Sequence, residues 1–369
     1  MQPAREWPRA AAAGDECFNR KAKDLRAIYH PDQAGHDPSF FLVKGRVERS
    51  KDSPSRVEHL LAGLAQLGLP VEAPQDFGMG PIAAVHSPEY LQYFTSAYDR
   101  WQALPGDPGP EVVPNIHPNH YAATYPTSVV GQTGWHMSDT NCPIGPRSFA
   151  AAYRSAQSAL TAAEIVMQGA PRAYALCRPP GHHAYGDMAG GSCFLNNSAI
   201  AAQALRARHA RVAILDIDIH HGNGTQGIFY DRADVLTVSI HRDPAEFYPF
   251  HWGHACERGA GVGEGYNLNL PLPPATGDDL YLRSLDAALD RIALYAPTAL
   301  VVATGLDASE ADPYAGASVT TAGFFRIGAA IAALGLPTVY CQEGGYVSEI
   351  LSENLASFLG GACSSGVSA

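Results

Sequence analysis

Five short apolar runs in the C-terminal two-thirds of the chain each stop at a polar cluster, and this constrains the fold more than any other feature. Ala173–Cys177 leads into Arg178-Pro-Pro-Gly-His-His, Val212–Ile217 into Asp218-Ile-His-His-Gly-Asn-Gly, and Val235–Ile240 into His241-Arg-Asp. Ala299–Ala303 leads into Thr304-Gly-Leu-Asp, and Thr338–Cys341 into Gln342-Glu-Gly-Gly-Tyr. Runs this short and rich in Val, Ile and Leu are predicted to be strands covered on both faces. Between and around them lie Ala-rich stretches predicted as helices: Phe149–Met167, Asn197–Ala207, Asp279–Leu294 and Thr321–Leu334. Strand–helix alternation of this kind builds a parallel sheet between two helical layers. Ligands bind such sheets beyond the carboxyl ends of the strands. The expectation is a three-layer α/β/α fold with its site where the five polar clusters meet.

Upstream, Ser55–Leu67 carries Val57, Leu60, Leu61, Leu64 and Leu67 at helical spacing. Ser87-Pro88-Glu89 has the form of a cap followed by Pro at the first helical position. Pro105–Pro146 is rich in Pro, Asn, Thr and His without apolar periodicity, and is predicted to be a long irregular loop of the functional kind. Residues 1–23 are expected to form a loose tail, because the Ala10–Ala13 run is too short for a signal-peptide core. The Gly/Ser-rich stretch from Gly360 is expected to fray, leaving one domain over residues 24–361 and a flexible tail over 362–369. A length of 369 residues accommodates one large α/β domain.

Charge and motif content remove several functions. The 25 Lys+Arg against 36 Asp+Glu give a net charge of −11, which repels phosphate backbones, so nucleic acid is not an expected partner. No apolar run reaches the roughly 18 residues of a membrane span. The seven cysteines include no C-x-x-C pair, so reduced thiols and a cytoplasmic location are expected. There is no G-x-S-x-G elbow, and the Gly-rich Gly259–Gly265 stretch lacks the Lys-Ser/Thr of a phosphate loop and carries Glu264.

The clusters themselves carry metal-type chemistry. In Asp216-Ile-Asp218-Ile-His220, alternate residues share a face if the strand persists. Asp and His side chains around one point suit zinc or a similar divalent ion, and Asp307 at another strand end could supply a third ligand. Three protein ligands leave a position for water, the catalytic pattern. One Asp-x-His alone would more often be a cap and a loop histidine; the company of the other strand ends reverses that judgement. His182 and His183 suit a turn facing a bound water, as general base and general acid. Tyr346, behind two glycines, could donate to a developing oxyanion. Cys193 has the character of a small buried thiol.

Four ordered segments, Arg178–Ala184, Asp216–Gln226, Gly305–Asp307 and Glu343–Tyr346, resemble the histone deacetylase superfamily, nearest its bacterial acetylpolyamine amidohydrolase, class II-like branch. The resemblance covers about residues 29–361 and implies the arginase/deacetylase fold, with a central eight-stranded parallel sheet. It implies zinc on Asp218, His220 and Asp307, catalytic roles for His182, His183 and Tyr346, and structural potassium on Asp216 and Ser239. Asp216 also stands behind His182, and Asn223 stands behind His183 where other branches carry Asp. Gly191, Ser192, Cys193 and Tyr248 match the substrate slot. Ser192 departs from the family's usual aromatic, so a wider or more polar wall is expected there. The 105–146 stretch resembles an insertion that narrows the entrance and mediates homodimers. The implied reaction is zinc-dependent removal of acetyl from small N-acetylated amines such as acetylputrescine or acetylcadaverine, releasing acetate. Within Thr127–Arg147, however, only Asp139 is acidic enough to read a distal ammonium. Acetyl-lysine proteins or other acyl amides are the alternative substrates. A non-catalytic binding protein of the same fold is a further alternative, disfavoured because no implied catalytic residue is missing.

Overall fold

The computed structural model describes residues 25–364 except 120 and 122; the tail expected over 1–23 lies outside the described residues. The strands are β1 (Leu25–Ile28), β2 (Phe41–Val43), β3 (Arg46–Glu48), β4 (Val71–Glu72), β5 (Arg172–Ala175), β6 (Val212–Asp216), β7 (Val235–Arg242), β8 (Asn267–Leu272), β9 (Ala299–Thr304) and β10 (Thr338–Gln342). The helices are α1 (Ser55–Gln66), α2 (Gly80–Ala83), α3 (Pro88–Gln102), α4 (Val129–His136), α5 (Ser148–Met167), α6 (Asn197–Leu205), α7 (Asn223–Phe229), α8 (Asp278–Tyr295), α9 (Thr321–Ala332) and α10 (Leu351–Cys363). Eight strands form one parallel sheet in the order β4-β1-β5-β10-β9-β6-β7-β8, and β2 pairs with β3 as a separate antiparallel hairpin.

Strand periodicity divides the core. Ala213, Leu215, Leu236, Val238, Leu300 and Val302 enter one apolar cluster, beneath α1, α8, α9 and α10. Their neighbours Val212, Ile214, Val235, Ala299 and Val301 enter the other, beneath α5 and α6. Alternate residues point to opposite faces, so a strand covered on both sides must be apolar throughout. The five polar clusters follow β5, β10, β9, β6 and β7, which lie side by side in the sheet. Their loops therefore open onto one edge.

Two expectations are corrected. Residues 105–146 are not irregular throughout: α4 lies within them, and Val112 bridges Ile144. The buried positions of α4 include Thr133, Gly134 and His136, which disguise its apolar face in the sequence. Its cap is visible in retrospect, since Ser128 Oγ accepts from the Val130 amide. At the other end, α10 continues through Gly360 and Gly361 to Cys363 instead of fraying at Gly360. Gly361 serves helix packing. A Cβ on Gly361 would sit 2.1 Å from the Phe325 carbonyl oxygen, and one on Gly328 2.1 Å from that of Phe358. The backbones of α9 and α10 thus touch where side chains would hold them apart. Among the described residues no helix is long and apolar enough to cross a membrane.

Candidate active site

The strand β6 ends at Asp216, so the shared face expected for Asp216, Asp218 and His220 does not come from a continuing strand. The loop itself brings Asp218 and His220 together. Asp218 Oδ1 accepts from the His220 amide at 2.9 Å, and its Oδ2 accepts from the Gly344 amide at 2.7 Å. Asp307, beyond β9, accepts from the Ile219 amide at 3.0 Å. These anchors place His220 Nδ1 2.8 Å from Asp307 Oδ2 and 3.2 Å from Asp218 Oδ1. One ligand atom from each of the three residues lies within 4.8 Å of the others, all buried. Burial and the Asp218 charge push Asp307 up to about 7. Burial opposes ionisation of Asp218 as well, but His182 and His220 overcome it and hold that carboxyl below its ordinary range. Two buried carboxylates crowded on one imidazole are a donor set that a divalent cation satisfies, and the oxygen–nitrogen chemistry fits zinc.

The tandem histidines follow β5, with ring centroids 4.0 Å apart. His182 Nδ1 lies 2.9 Å from Asp216 Oδ2, whereas His183 Nδ1 lies 2.6 Å from the neutral Asn223 Oδ1. The difference in partner sets their charge. Burial would lower His182, but the charges of Asp216 and Asp218 raise it well above its ordinary value. Burial, then the charges of His182 and His220, drive His183 well below its own. The Asn223 amide nitrogen donates to Tyr185 Oη at 3.1 Å, which fixes its oxygen toward His183.

Tyr346 is held by its surroundings while its hydroxyl has no partner among the described residues. Its amide donates to Asp312 Oδ2 at 2.9 Å, and the Arg56 guanidinium lies 4.7 Å from the ring centroid. The side chain of Glu343, in the same motif, accepts from the amides of Gly181 and His182 at 2.6 and 3.0 Å and from Ser198 Oγ at 2.8 Å. It ties the tyrosine loop to the histidine loop. Sequence reading gave Glu343 no role, although it stands inside a quoted motif. Asp312 and Tyr314, whose ring is 4.7 Å from that of Tyr346 and 5.1 Å from His220, carried no local signal. The same is true of Phe247, stacked 4.8 Å from His220.

The slot residues are brought to the same place. The Tyr248 ring is edge-on to His183 at 4.9 Å, and its hydroxyl donates to Asp139 Oδ2 at 2.6 Å. The Gly191 amide donates to the same oxygen at 3.0 Å. Gly191 has φ +53°, and a Cβ there would lie 2.4 Å from the His183 ring. Glycine is required on both counts. Ser192 Oγ is 3.4 Å from the Asn141 carbonyl. The Cys193 thiol is buried and pushed well up by that burial, which makes it inert. Asp216 and Ser239 face one another in register across β6 and β7, beside a cavity of about 10 Å³.

The histone deacetylase domain model matches residues 50–362. An acetylpolyamine amidohydrolase of Burkholderia pseudomallei is 51% identical over 337 residues, covering 91% of this chain and 98% of its own. Acetylpolyamine amidohydrolase 1 of Pseudomonas aeruginosa is 45% identical over 342 residues, again 91% and 98% of the two chains. The crystal structure of an acetylpolyamine aminohydrolase from Burkholderia pseudomallei superposes with a TM-score of 0.88 at 50% identity, over 91% of this chain and 98% of that one.

Proposed function

The chain belongs to the histone deacetylase family, a family of deacetylating hydrolases, and from that premise we propose that it is a zinc-dependent amidohydrolase that removes acetyl groups from small N-acetylated amines. Acetylated polyamines are the substrates its relatives' names point to, and acetylputrescine and acetylcadaverine are the compounds proposed for this chain. The observation that carries the reading is the buried Asp218, His220 and Asp307 cluster beside two histidines of opposite charge character.

Asp218, His220 and Asp307 would hold the ion, which supplies Lewis-acid polarisation of the acetyl carbonyl and a more acidic bound water. His183, kept neutral by burial and by its uncharged partner Asn223, accepts the proton of the attacking water. His182, kept cationic by Asp216, stabilises the negative charge that develops beside it. The Tyr346 hydroxyl donates to the oxyanion. The proton on His183 then passes to the departing amine, so acetate and a free amine are released and the histidine returns to its starting state. Asp216 and Ser239 are the proposed holders of a potassium ion, whose charge would steady the loop after β6. A cytoplasmic homodimer closed over residues 105–146 completes the proposal.

The test is a substrate panel on zinc-loaded protein, with chelator-treated protein alongside. Turnover of acetylputrescine and acetylcadaverine that disappears on chelation and returns with zinc supports the reading. Turnover of acetyl-lysine peptides alone would replace the small-amine substrate with a protein one.

A further inference from the structure

Tyr346 stands in the segment between β10 and α10, where no regular structure fixes it. Its backbone is held instead at three successive residues. The Gly344 amide donates to Asp218 Oδ2 at 2.7 Å, the Gly345 carbonyl accepts from Arg56 Nε at 2.7 Å, and the Tyr346 amide donates to Asp312 Oδ2 at 2.9 Å. The first partner is a candidate metal ligand, and the second is a buried guanidinium that also donates to Asp52. The third, Asp312, has no part in the chemistry above. It is buried, and among the described residues its oxygens meet backbone amides and form no ion pair: Oδ1 accepts from the Tyr314 amide at 2.8 Å, while Oδ2 takes that of Tyr346. A buried carboxylate without a cation is costly, so its place here calls for a role that a neutral residue could not fill. An ionised carboxylate accepts on both oxygens, whereas the side chain of Asn accepts on one side and donates from the other. Of the two residues of this shape, only the acid receives both amides.

Both amides belong to aromatic residues of the site. The Tyr314 ring lies 4.7 Å from that of Tyr346 and 5.1 Å from His220, so one carboxylate sets the backbone of Tyr346 and of the ring that supports it. Asp312 is in turn fixed within the loop that begins at Asp307. Its amide donates to the Ser309 carbonyl at 3.1 Å, and its carbonyl accepts from the Ala315 amide at 2.9 Å. We propose that Asp312 is a positioning residue: it holds the Tyr346 loop in register with the Asp218, His220 and Asp307 cluster, and so keeps the phenol where the oxyanion forms. This rests on the amidohydrolase reading and specifies how that site holds its oxyanion donor. A shift of about 1 Å is enough to take most of the effect from such a group.

Asp312→Asn keeps the shape and one acceptor. The bond to Tyr314, two residues away, closes a local turn and is the easier one to keep, so the new side-chain nitrogen would face the Tyr346 amide, donor against donor. The test is a double-mutant cycle on zinc-loaded protein: wild type, Asp312→Asn, Tyr346→Phe and the variant carrying both, with kcat and KM for acetylputrescine and the zinc content measured on each. Asp312→Asn is expected to lower kcat about ten- to hundredfold, with KM within about twofold of wild type. In the Tyr346→Phe background the same change is expected to lower kcat less than about twofold, because the hydroxyl that Asp312 positions is gone. A carboxylate that served only the ion or the general stability of the fold would act by the same factor in both backgrounds. Equal factors, or an unchanged kcat in zinc-loaded Asp312→Asn, would overturn the inference and leave the amidohydrolase reading standing. Should Asp312→Asn not fold with its zinc, Asp312→Ser, too short to reach the Tyr346 amide, takes its place in the cycle with the same expectations. A wild type that hydrolyses neither acetylputrescine nor acetylcadaverine would overturn both.

Discussion

Replacing Asn223 with Asp probes the proton-transfer assignment directly. Asn223 Oδ1 lies 2.6 Å from His183 Nδ1, and both side chains are buried. The substitution keeps the acceptor and adds a negative charge. Two unit charges about 4 Å apart at an effective dielectric constant near 20 interact by roughly 4 kcal/mol. Burying a new carboxylate takes back part of that, and a net rise of about one to three pKa units for His183 is the expected balance. The new carboxylate is not stranded, because Tyr185 Oη, 3.1 Å from the Asn223 amide nitrogen, can turn and donate. Burial pushes that phenol well above its ordinary value and keeps it protonated. The sign follows from the role. A base must be neutral to work, so raising its pKa moves the acid limb of the kcat/KM profile upward by the same one to three pH units. Activity is lost on the acid side and retained above the new pKa. The assay is the pH dependence of kcat/KM for an acetylated diamine, with zinc content and circular dichroism confirming an intact enzyme. An acid limb that stays where it is in the intact variant would show that His183 is not the group that must be deprotonated.

Three further outcomes are expected. Tyr346→Phe should lower kcat by about a hundred- to a thousandfold with little change in KM, measured on the same substrate, since the lost donor acts only on the oxyanion. Asp52→Asn should cost roughly 3–5 kcal/mol in urea unfolding, because Asp52 Oδ1 accepts from buried Arg56 at 2.6 Å and buried Arg178 at 3.1 Å, and both guanidinium charges would be left without it. His86→Gln should remove about 1 kcal/mol of the stability lost between pH 7 and pH 5.5, read as the difference in urea midpoints. Burial holds His86 at about 4 in the fold against an ordinary value near 6.5, so the unfolded chain takes up a proton that the folded one refuses as pH falls through 6.5. Identical pH dependence in the two proteins would contradict this last argument.

The central strands were readable because β6, β9 and β10 are covered on both faces and so contain apolar residues in unbroken runs. The outer strands were not. β4 has only Val71 and Glu72, β1 is four residues long, and β8 alternates Asn with Leu before Pro271, a pattern common to exposed segments. The candidate ligands and the tandem histidines stood out because each lies directly after a strand. What surrounds them did not, since those contacts join distant parts of the chain. Asp52 and Arg56 are four apart at a helix start and look like a surface ion pair, yet both are fully buried against the tyrosine loop.

The position of β10 has a consequence for how the protein comes into being. This strand, starting at Thr338, is late in the chain but central in the sheet, between β5 and β9. A nascent chain that has emerged only as far as α9 holds two half-sheets with nothing to join them, each presenting an unpaired apolar border. Such borders invite pairing with other chains. Synthesis past Gln342 both seals that seam and delivers Glu343 and Tyr346 to the histidines, so the hazard of misassembly and the lack of catalytic competence should end in the same step.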